Sequence, residues 1–534
     1  MQRFFFALLA VMAVSVSWSV AQDSAPQVKL DSGLIVGVNT NGVHSFKGIP
    51  FAAPPTGALR WRAPQPVIPW SGVRSAAEYG ADCMQVPFPS DAAPLGGKLN
   101  EDCLYVNVWT PASATNKKLP VMVWIYGGGF VNGGTSPSVY DGTHFAEQGV
   151  VFVSINYRVG RFGFFAFPAL TQENPQEPHG NYGYLDQIAG LQWVQRNIAA
   201  FGGDPKQVTL FGESAGGGSV LTLLTSPLSQ NLFQRAIVES GGGRSLLMGE
   251  RLISKDSPTG MPSAESIGVN FAKSKGITDT SAAGLAELRK LPAEQVVDGL
   301  NMATMMQAAT TYAGPMKDDK IVRESPESAI LAGRWSKVPV MIGANSADIG
   351  FPRGRTIDEL FAPFGENIEK AKAIYNPEHS DNVWLVGARI AMDQMMVEPS
   401  RFVSRAVSAQ GIPGYEYRFS YVAESMRDKL PGAPHATEIP YVFNTVSAIY
   451  KDKLTPADNA LSLKALEAWV NFAKSGDPSI SGSPKWQIQK PDTDILMNFT
   501  NSGPVVGPDP WKARLDLIEA LAAPSLQETK NTAK

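Results

Sequence analysis

The sequence of 534 residues predicts an α/β fold, in which a large, mostly parallel, twisted sheet carries helices on both faces. Two observations lead to this prediction. Nearly continuous apolar runs typical of buried strands, at 121–126 and 150–155, alternate along the chain with stretches of helical periodicity. A further strand-like run, at 208–211, ends in a small-residue turn and continues into a segment that can be helical, as in a strand–turn–helix unit.

Each predicted element follows from a local pattern. Residues 28–51 hold short strand-like runs, and the Asn41-Gly42 pair predicts a tight hairpin turn between two of them. Apolar residues recur at helical spacing over 185–201 and 460–474, and Gly476 is expected to stop the second helix. The predicted strands after residue 100 are 104–109, 121–126, 150–155, 208–211, 236–240 and 338–342.

Two stretches, at about 245–335 and 355–410, are rich in Ala, Lys, Glu and Ser and carry several helical patterns. We interpret them as helical insertions above the edge of the sheet, because no linker-like break separates them from the strands. Residues 22–534 are therefore expected to form a single domain. Nothing in the sequence indicates an oligomeric state.

The first 21 residues have the pattern of a signal peptide. Arg3 supplies a positive charge, residues 4–16 are apolar, and residues 19–21 form a small-x-small cleavage site. The alternative is a transmembrane anchor, for which the apolar run is short. Cleavage after Ala21 predicts an exported protein, periplasmic or secreted, with no membrane span left in the mature chain.

Composition narrows the range of partners. The chain is 44% hydrophobic and 18% charged, its net charge is −3 and its pI is about 6.1. Because there is no long Lys/Arg run, the sequence has no electrostatic footprint for nucleic acid. Its two cysteines, Cys83 and Cys103, lie close together, and in an exported protein such a pair predicts one disulfide. Two buried free thiols are the alternative.

The G-x-S-x-G motif at 212–216 predicts a nucleophile elbow centred on Ser214. The turn of such an elbow is tight, so the residues that flank the serine must be small, as they are here. The helix behind it would point backbone N–H groups at an oxyanion forming nearby. The alternative is an ordinary turn serine.

An acyl-transfer serine also needs donors for an oxyanion, a base and an acid. Three consecutive glycines follow the predicted strand at 121–126. The N–H groups of Gly128 and Gly129, with that of Ala215 after the nucleophile, are the predicted oxyanion donors. The alternative is a plain glycine-rich turn.

The base and the acid follow from chain order, which in this type of site runs serine, acid, histidine. Three of the five histidines precede Ser214, and His379 lies in a polar loop with no flanking strand. His435, in a Pro-rich loop before an apolar segment, is the predicted base, with a surface loop histidine as the alternative. Asp348 is the only carboxylate in the loop at 343–350 and is the predicted acid; its alternative is a turn or helix N-cap.

Three blocks of the sequence resemble the type-B carboxylesterase family of α/β-hydrolases, which also contains the cholinesterases. They are residues 201–216 with the serine motif, residues 101–111 around Cys103, and the segment around His435. Together with shorter matches they cover nearly the whole mature chain. The resemblance implies the α/β-hydrolase fold, Ser214 as nucleophile, His435 as base and a disulfide between Cys83 and Cys103.

The same resemblance implies the oxyanion donors named above and two structural ion pairs, Arg60–Glu101 and Arg158–Asp186. Two departures from the family pattern concern the site. Asp348 and Ile349 stand where the family usually has Glu followed by Gly, so the acid loop must move inward to reach the histidine. Ala436 replaces a common glycine. No tryptophan lies within 84–102, where choline-selective relatives carry one, so a choline ester is not the expected substrate.

The predicted function is hydrolysis of a small-molecule carboxylic ester through an acyl-enzyme, without a metal or cofactor. Phe130 and Phe162 are candidate lining residues, with burial in the core as the alternative, and Glu213 would tune the site or bind water. A dedicated hydrolase for a bulky or unusual ester, of polyester or toxin type, and an amidase remain alternatives. The remote alternative is a binding protein that has lost catalysis.

Overall fold

The computed structural model describes residues 25–114, 117–245, 250–258, 260–490 and 493–532, so the predicted signal peptide lies outside the described residues. Within this part of the chain an eleven-stranded sheet forms the centre of the fold. Its strands are β1 (Val38–Thr40), β2 (Val43–Pro50), β3 (Tyr105–Pro111), β4 (Leu119–Ile125), β5 (Val151–Ile155), β6 (Gly203–Glu213), β7 (Arg235–Glu239), β8 (Val340–Asn345), β9 (Gly414–Phe419), β10 (Ile495–Thr500) and β11 (Gly503–Pro508).

The spatial order of these strands is β11-β10-β9-β8-β7-β6-β4-β5-β3-β2-β1. Neighbours from β10 to β5 are parallel, whereas the pairs at the two edges are antiparallel. The sheet is therefore mixed with a parallel centre. Because β6, β7 and β8 are adjacent and parallel, the residues that follow their carboxyl ends come together at one edge of the sheet.

Helices cover both faces of the sheet. The helix directly after β6 contacts both β6 and β7, and the long helix that begins at Pro456 contacts β4 and β6. In the described residues the α-helices are α1 (Thr143–Glu147), α2 (Gly160–Gly163), α3 (Pro168–Glu173), α4 (Tyr182–Asn197), α5 (Ala215–Thr225), α6 (Ala264–Ser274), α7 (Ala282–Lys290), α8 (Ala293–Val297), α9 (Pro326–Leu331), α10 (Ile357–Phe361), α11 (Ile368–Tyr375), α12 (Val383–Met392), α13 (Glu398–Ser408), α14 (Ile439–Val442), α15 (Val446–Tyr450), α16 (Pro456–Ser475) and α17 (Lys512–Thr532).

Local signals in the sequence correspond to specific backbone geometry. The hairpin between β1 and β2 turns at Asn41 and Gly42, which have φ values of 50° and 83°. Helix α16 ends at Gly476, which has a φ of 80° and donates its N–H to the Phe472 carbonyl. Helices α6 to α9 and α10 to α13 lie in the two stretches that the sequence analysis interpreted as insertions.

Smaller sheets surround the central one. A three-stranded sheet joins Gln27–Lys29, Leu34–Val36 and Val73–Ser75, and two-stranded sheets pair Phe164–Phe165 with Gly180–Asn181 and Asp82–Cys83 with Leu99–Asn100. No helix in the described ranges combines the length and the apolar character needed to cross a bilayer.

Both ion pairs implied by the family resemblance are present. Arg60 donates from Nε to Glu101 Oε2 at 2.8 Å. Arg158 donates from Nε and Nη2 to the two carboxylate oxygens of Asp186, at 2.8 and 2.7 Å. The Arg158–Asp186 pair is almost fully buried, with side-chain exposures of 3% and 0%, so removing either partner would leave an uncompensated charge in the core.

The predicted disulfide is present, since Cys83 and Cys103 are bonded across a sequence separation of 20 residues. Closing a loop of this length restricts the unfolded chain and contributes about 3 kcal/mol to stability. We expect the double variant C83A/C103A to melt at a lower temperature than the wild type in thermal unfolding followed by circular dichroism. A melting temperature equal to that of the wild type would show that the cross-link adds nothing.

Candidate active site

Ser214 lies between β6 and α5 in a backbone conformation that non-glycine residues rarely adopt, with φ 56° and ψ −122°. Its N–H donates to the Glu239 carbonyl at 2.8 Å, which holds the turn against β7. The flanking glycine is required by close packing, because a Cβ on Gly216 would lie 2.0 Å from the Ile125 carbonyl oxygen. The segment thus has the strand–turn–helix geometry that the motif predicted.

The imidazole ring of His435 lies between Ser214 and Asp348. Its Nε2 is 2.8 Å from Ser214 Oγ, and its Nδ1 is 2.6 Å from Asp348 Oδ1. Both distances are hydrogen-bond distances. Three side chains that the sequence analysis selected, separated by 221 and 87 positions in the chain, therefore form one continuous hydrogen-bonded row.

The shorter acid reaches the histidine because the two loops that carry them are bonded to each other. The N–H of Ala347 donates to the Ala433 carbonyl, and the N–H of Ala433 donates to Ser346 Oγ, each at 2.9 Å. These bonds draw the loop of Asp348 against the loop of His435. In this position the aspartate side chain reaches His435 Nδ1.

Two donors that the sequence analysis missed hold the second oxygen of Asp348. The Ser240 hydroxyl donates to Oδ2 at 2.7 Å, and the N–H of Asn345 donates to the same oxygen at 2.9 Å. Ser240 follows β7 directly and has a positive φ of 45°. A serine at a strand end, followed by three glycines, was the signal available in the sequence. Together these donors fix the orientation of the carboxylate.

The predicted oxyanion glycines directly follow Gly127, which lies beside the nucleophile. A Cβ placed on Gly127 would be 3.0 Å from Ser214 Cβ. Gly128 and Gly129 have φ values of 108° and 61°, a region that favours glycine. Ala215 is the first residue of α5, on the other side of the nucleophile. The predicted donors thus belong to two chain segments that meet at Ser214, and their role in binding an oxyanion stays a prediction.

Glu213 is buried beside the histidine, with Oε1 3.1 Å from His435 Nε2. Burial raises the pKa of Glu213 well above its usual value. Burial alone would lower the pKa of His435, but the carboxylates of Glu213 and Asp348 outweigh it and raise that pKa. For Asp348, burial acts to raise the pKa, yet the charge of His435 and its hydrogen bond hold it below the usual value. The ionised form of Glu213 thus strengthens the basicity of the ring, and the positive charge of the imidazolium in turn favours that ionised form.

Two further buried carboxyl groups lie near this row. Burial raises the pKa of Glu239 to about 8, and its Oε1 accepts a hydrogen bond from Trp469 Nε1 at 2.8 Å. Burial likewise raises the pKa of Glu438 to about 8, and this carboxyl accepts a short hydrogen bond from the Asn345 side chain. At neutral pH these two groups are therefore mostly neutral, whereas burial does not keep Asp348 from being charged, because its pKa is lowered by His435.

The two phenylalanines singled out in the sequence analysis are almost fully buried, with Phe130 1% and Phe162 5% exposed. Phe130 packs edge-to-face against Phe164, with ring centroids 5.3 Å apart. The Arg60 guanidinium lies 5.4 Å from the centroid of Phe162. Their surroundings are those of core residues, and a role in lining the substrate site stays a prediction.

A serine in a strained turn between a parallel strand and a helix, on a mixed sheet covered by helices, defines an α/β-hydrolase. The model of the carboxylesterase family matches residues 24–375 and 369–509, and the chain belongs to this family. A solved structure titled PNB esterase superposes with a TM-score of 0.76 and 32% sequence identity, covering 93% of this chain and all of that one.

Curated relatives extend over nearly the full length. Fumonisin B1 esterase of Sphingopyxis macrogoltabida is 33% identical over 95% of this chain and 92% of its own. Para-nitrobenzyl esterase of Bacillus subtilis is 35% identical over 87% and 93%, and liver carboxylesterase of Sus scrofa is 34% identical over 93% and 93%. The protein is accordingly a carboxylic ester hydrolase, as the sequence analysis predicted.

Proposed function

We propose that the protein hydrolyses carboxylic esters in two steps through an acyl-enzyme on Ser214, with His435 as the base and Asp348 as the acid that orients it. The observation that carries the proposal is the unbroken row of hydrogen bonds from Ser214 Oγ through His435 to Asp348. An uncharged imidazole that accepts at Nε2 and donates at Nδ1 fits this row in the direction that catalysis needs.

In the first step His435 Nε2 takes the proton of Ser214 as Oγ bonds to the ester carbonyl carbon. The negative charge on the carbonyl oxygen is stabilised by the N–H groups of Gly128, Gly129 and Ala215. His435 then returns the proton to the alcohol oxygen, the C–O bond to the alcohol breaks, and the acyl group stays on Ser214.

In the second step water replaces the alcohol. His435 takes a proton from the water, whose oxygen attacks the acyl carbon, and then gives the proton back to Ser214 Oγ as the acid leaves. Asp348 holds the Nδ1 proton and stabilises the charged imidazolium in both steps. The first step returns His435 to its uncharged state and leaves Ser214 acylated, and the second step restores both residues.

The acyl-enzyme is tested by partitioning between water and methanol. Several esters of one acid, with different leaving alcohols, are hydrolysed in dilute methanol, and the ratio of methyl ester to free acid is measured by chromatography. A shared acyl-enzyme predicts the same ratio for every leaving alcohol, because the alcohol has departed before the partition. A ratio that changes with the leaving alcohol contradicts the two-step scheme.

The position of Glu213 predicts a change in pH dependence. His435 must be uncharged to take the serine proton, so activity rises with pH through its pKa. Since the Glu213 carboxylate raises that pKa, the variant Glu213→Gln should move the rising limb of kcat/KM to lower pH, by about one unit. The readout is kcat/KM for a p-nitrophenyl ester against pH.

The matched control is Glu324→Gln, whose carboxylate is paired with Arg334. This control should leave the rising limb where it is in the wild type. A limb that stays in place or moves to higher pH in Glu213→Gln would show that Glu213 does not act on the base.

A bulky ester is the second candidate substrate class. The observation that favours it is the 33% identity with fumonisin B1 esterase over 95% of this chain. Steady-state kcat/KM for a fumonisin-type ester, set beside kcat/KM for a simple p-nitrophenyl ester, tests this candidate. A higher value for the simple ester argues against a dedicated bulky substrate.

We also propose that residues 1–21 are a cleaved signal peptide and that residues 22–534 form one exported domain. The disulfide between Cys83 and Cys103 supports export from the cytoplasm, because such bonds persist in oxidising compartments. Amino-terminal sequencing of the secreted or periplasmic protein should begin at Gln22. Recovery of the intact Met1 terminus from the cytoplasm would contradict it.

A further inference from the structure

A methionine-rich run of turns, here called the methionine segment (residues 301–311), lies against the oxyanion loop. A Cβ on Gly129 would be 3.5 Å from Met302 Cγ and 3.6 Å from Met305 Sδ. Two thioether side chains therefore approach the glycine whose N–H is proposed to bind the ester oxygen. An ester held in that position would have these side chains among its nearest apolar neighbours.

The segment is fixed at both ends by one buried side chain. Arg161, which is 2% exposed, donates from Nη1 to the Val297 carbonyl at 2.6 Å and from Nε to the Thr311 carbonyl at 2.9 Å. Because a single guanidinium binds both flanks, the methionine segment between them is a loop whose two ends are held together. Its position relative to the sheet is set by α2, which carries Arg161.

A second tie joins the start of the methionine segment to the oxyanion loop. Asn132 Oδ1 accepts the N–H of Met302 at 2.9 Å, while its Nδ2 donates to the Val86 carbonyl in the disulfide-closed loop at 2.7 Å. The N–H of Asn132 donates to the Gly128 carbonyl at 2.9 Å. Asn132 thus connects the oxyanion glycines, the methionine segment and the disulfide loop. These bonds fix the backbone of Met302 relative to the oxyanion glycines.

The methionines of the methionine segment differ in how far they are buried. Met302 and Met305 are half-buried and pack against the edge of the main core. Met306 is 81% exposed. A half-buried methionine beside a reactive site combines apolar contact with three rotatable bonds, so it can adapt its shape to different partners. Met302 and Met305 have this combination, and Met306 provides a comparison within the same segment.

We propose that Met302 and Met305 form a deformable apolar wall of the substrate site and set the preference for esters with long, flexible apolar groups. The inference rests on the proposed function, since it takes the ester carbonyl to sit at Gly129. The wall contacts the apolar group attached to the carbonyl or to the ester oxygen. Neither methionine takes part in the chemical step.

The test uses two series of esters. One varies the acyl chain of p-nitrophenyl esters from acetyl to decanoyl, and the other varies the alcohol of acetate esters over the same lengths. The ratio of kcat/KM for long and short members is measured for wild type and for M302A/M305A. We expect this ratio to change by about tenfold or more in at least one series, because a few methylene contacts are altered.

Met306→Ala is the matched control and should keep the wild-type ratio in both series. A ratio that is unchanged in both series for M302A/M305A overturns the inference. Melting temperatures of the variants are compared with that of the wild type. If M302A/M305A does not fold, the isosteric pair M302L/M305L, which removes the flexible thioethers at similar volume, is measured with the same two series and the same criterion.

Oxidation gives an independent readout. Hydrogen peroxide transfers one oxygen atom to the thioether sulfur and is itself reduced to water, leaving a polar sulfoxide in the apolar wall. With oxidation of Met302 and Met305 verified by peptide mass spectrometry, the wild type should lose its preference for long chains about tenfold. The long-to-short ratio of M302L/M305L should be the same before and after this treatment, because leucine has no sulfur to oxidise. An unchanged ratio in the verified sulfoxide form contradicts the inference.

The two proposals fail in different ways. If the wild type does not turn over p-nitrophenyl acetate, or does so equally well as Ser214→Ala, the proposed function is wrong. If turnover depends on Ser214 but the long-to-short ratio of kcat/KM is the same with and without Met302 and Met305, only the inference about the apolar wall is wrong.

Discussion

Ser214→Ala is expected to lower kcat for p-nitrophenyl butyrate by about 10⁴- to 10⁶-fold. The variant removes the atom that forms the acyl bond, so only the binding and oxyanion contributions to the rate remain. The hydroxyl lies 2.8 Å from His435 Nε2, and no second hydroxyl is described in that position. The measurement is steady-state turnover by folded protein, with the melting temperature of the variant compared with that of the wild type.

The control is Ser226→Ala, at the carboxyl end of the same helix, where the hydroxyl accepts the N–H of Leu228. That change removes a serine of the same neighbourhood without touching the row formed by Ser214 and His435. It should leave kcat within about twofold of the wild type. Near wild-type turnover by Ser214→Ala would show that Ser214 is not the nucleophile.

Asp348→Asn is expected to lower kcat by about 10⁴-fold. The amide carries no charge to stabilise a positive imidazolium, and an NH2 group that faces the ring donates to Nδ1, which selects the wrong tautomer. The carboxylate now accepts from Ser240 and from the N–H of Asn345 at one oxygen, and from the N–H of Ile349 at the other. Because donors face both oxygens, the NH2 group of an asparagine would face a donor at either position, which makes the amide a poor replacement.

The companion variant for this prediction is Glu438→Gln. Glu438 is buried near the same loops, but its pKa is raised to about 8, so it is mostly uncharged at neutral pH. Its loss should cost far less in kcat than the loss of the Asp348 charge. If Glu438→Gln lowered kcat about 10⁴-fold while Asp348→Asn did not, the acid would be misassigned.

Much of the sheet could be predicted because its central strands are apolar on both faces. The apolar runs within β4 and β5 are nearly continuous, and the turn after β6 is marked by glycines that packing requires. Strands β9, β10 and β11 were missed. Strand β9 has the sequence Gly-Tyr-Glu-Tyr-Arg-Phe, and its charges conceal its burial. In the fold Arg418 is paired with Asp509 and Glu416 accepts from Gln489, partners far away in the chain.

The residues of the site likewise divide into those that the sequence identified and those that it did not. Ser214, His435 and Asp348 could be selected from local motifs and chain order, since each lies in a recognisable turn or loop. Ser240 and the methionine segment were not selected, because the weak signals they carry gain a role only when the fold shows which strand ends and loops come together. The distance from Asp348 to His435 likewise depends on bonds between two loops, such as that from Ala347 to Ala433. Such contacts exist only in the folded chain.

The central claim is that Ser214 is the nucleophile activated by His435. A fluorophosphonate probe reacts with such a serine by forming a P–O bond to Oγ and releasing fluoride, and the labelled peptide is identified by mass spectrometry. The account predicts one label per chain, on Ser214, with loss of activity in proportion to labelling and no label on the His435→Ala variant. Full labelling of another residue, or full activity in protein labelled at Ser214, would contradict it.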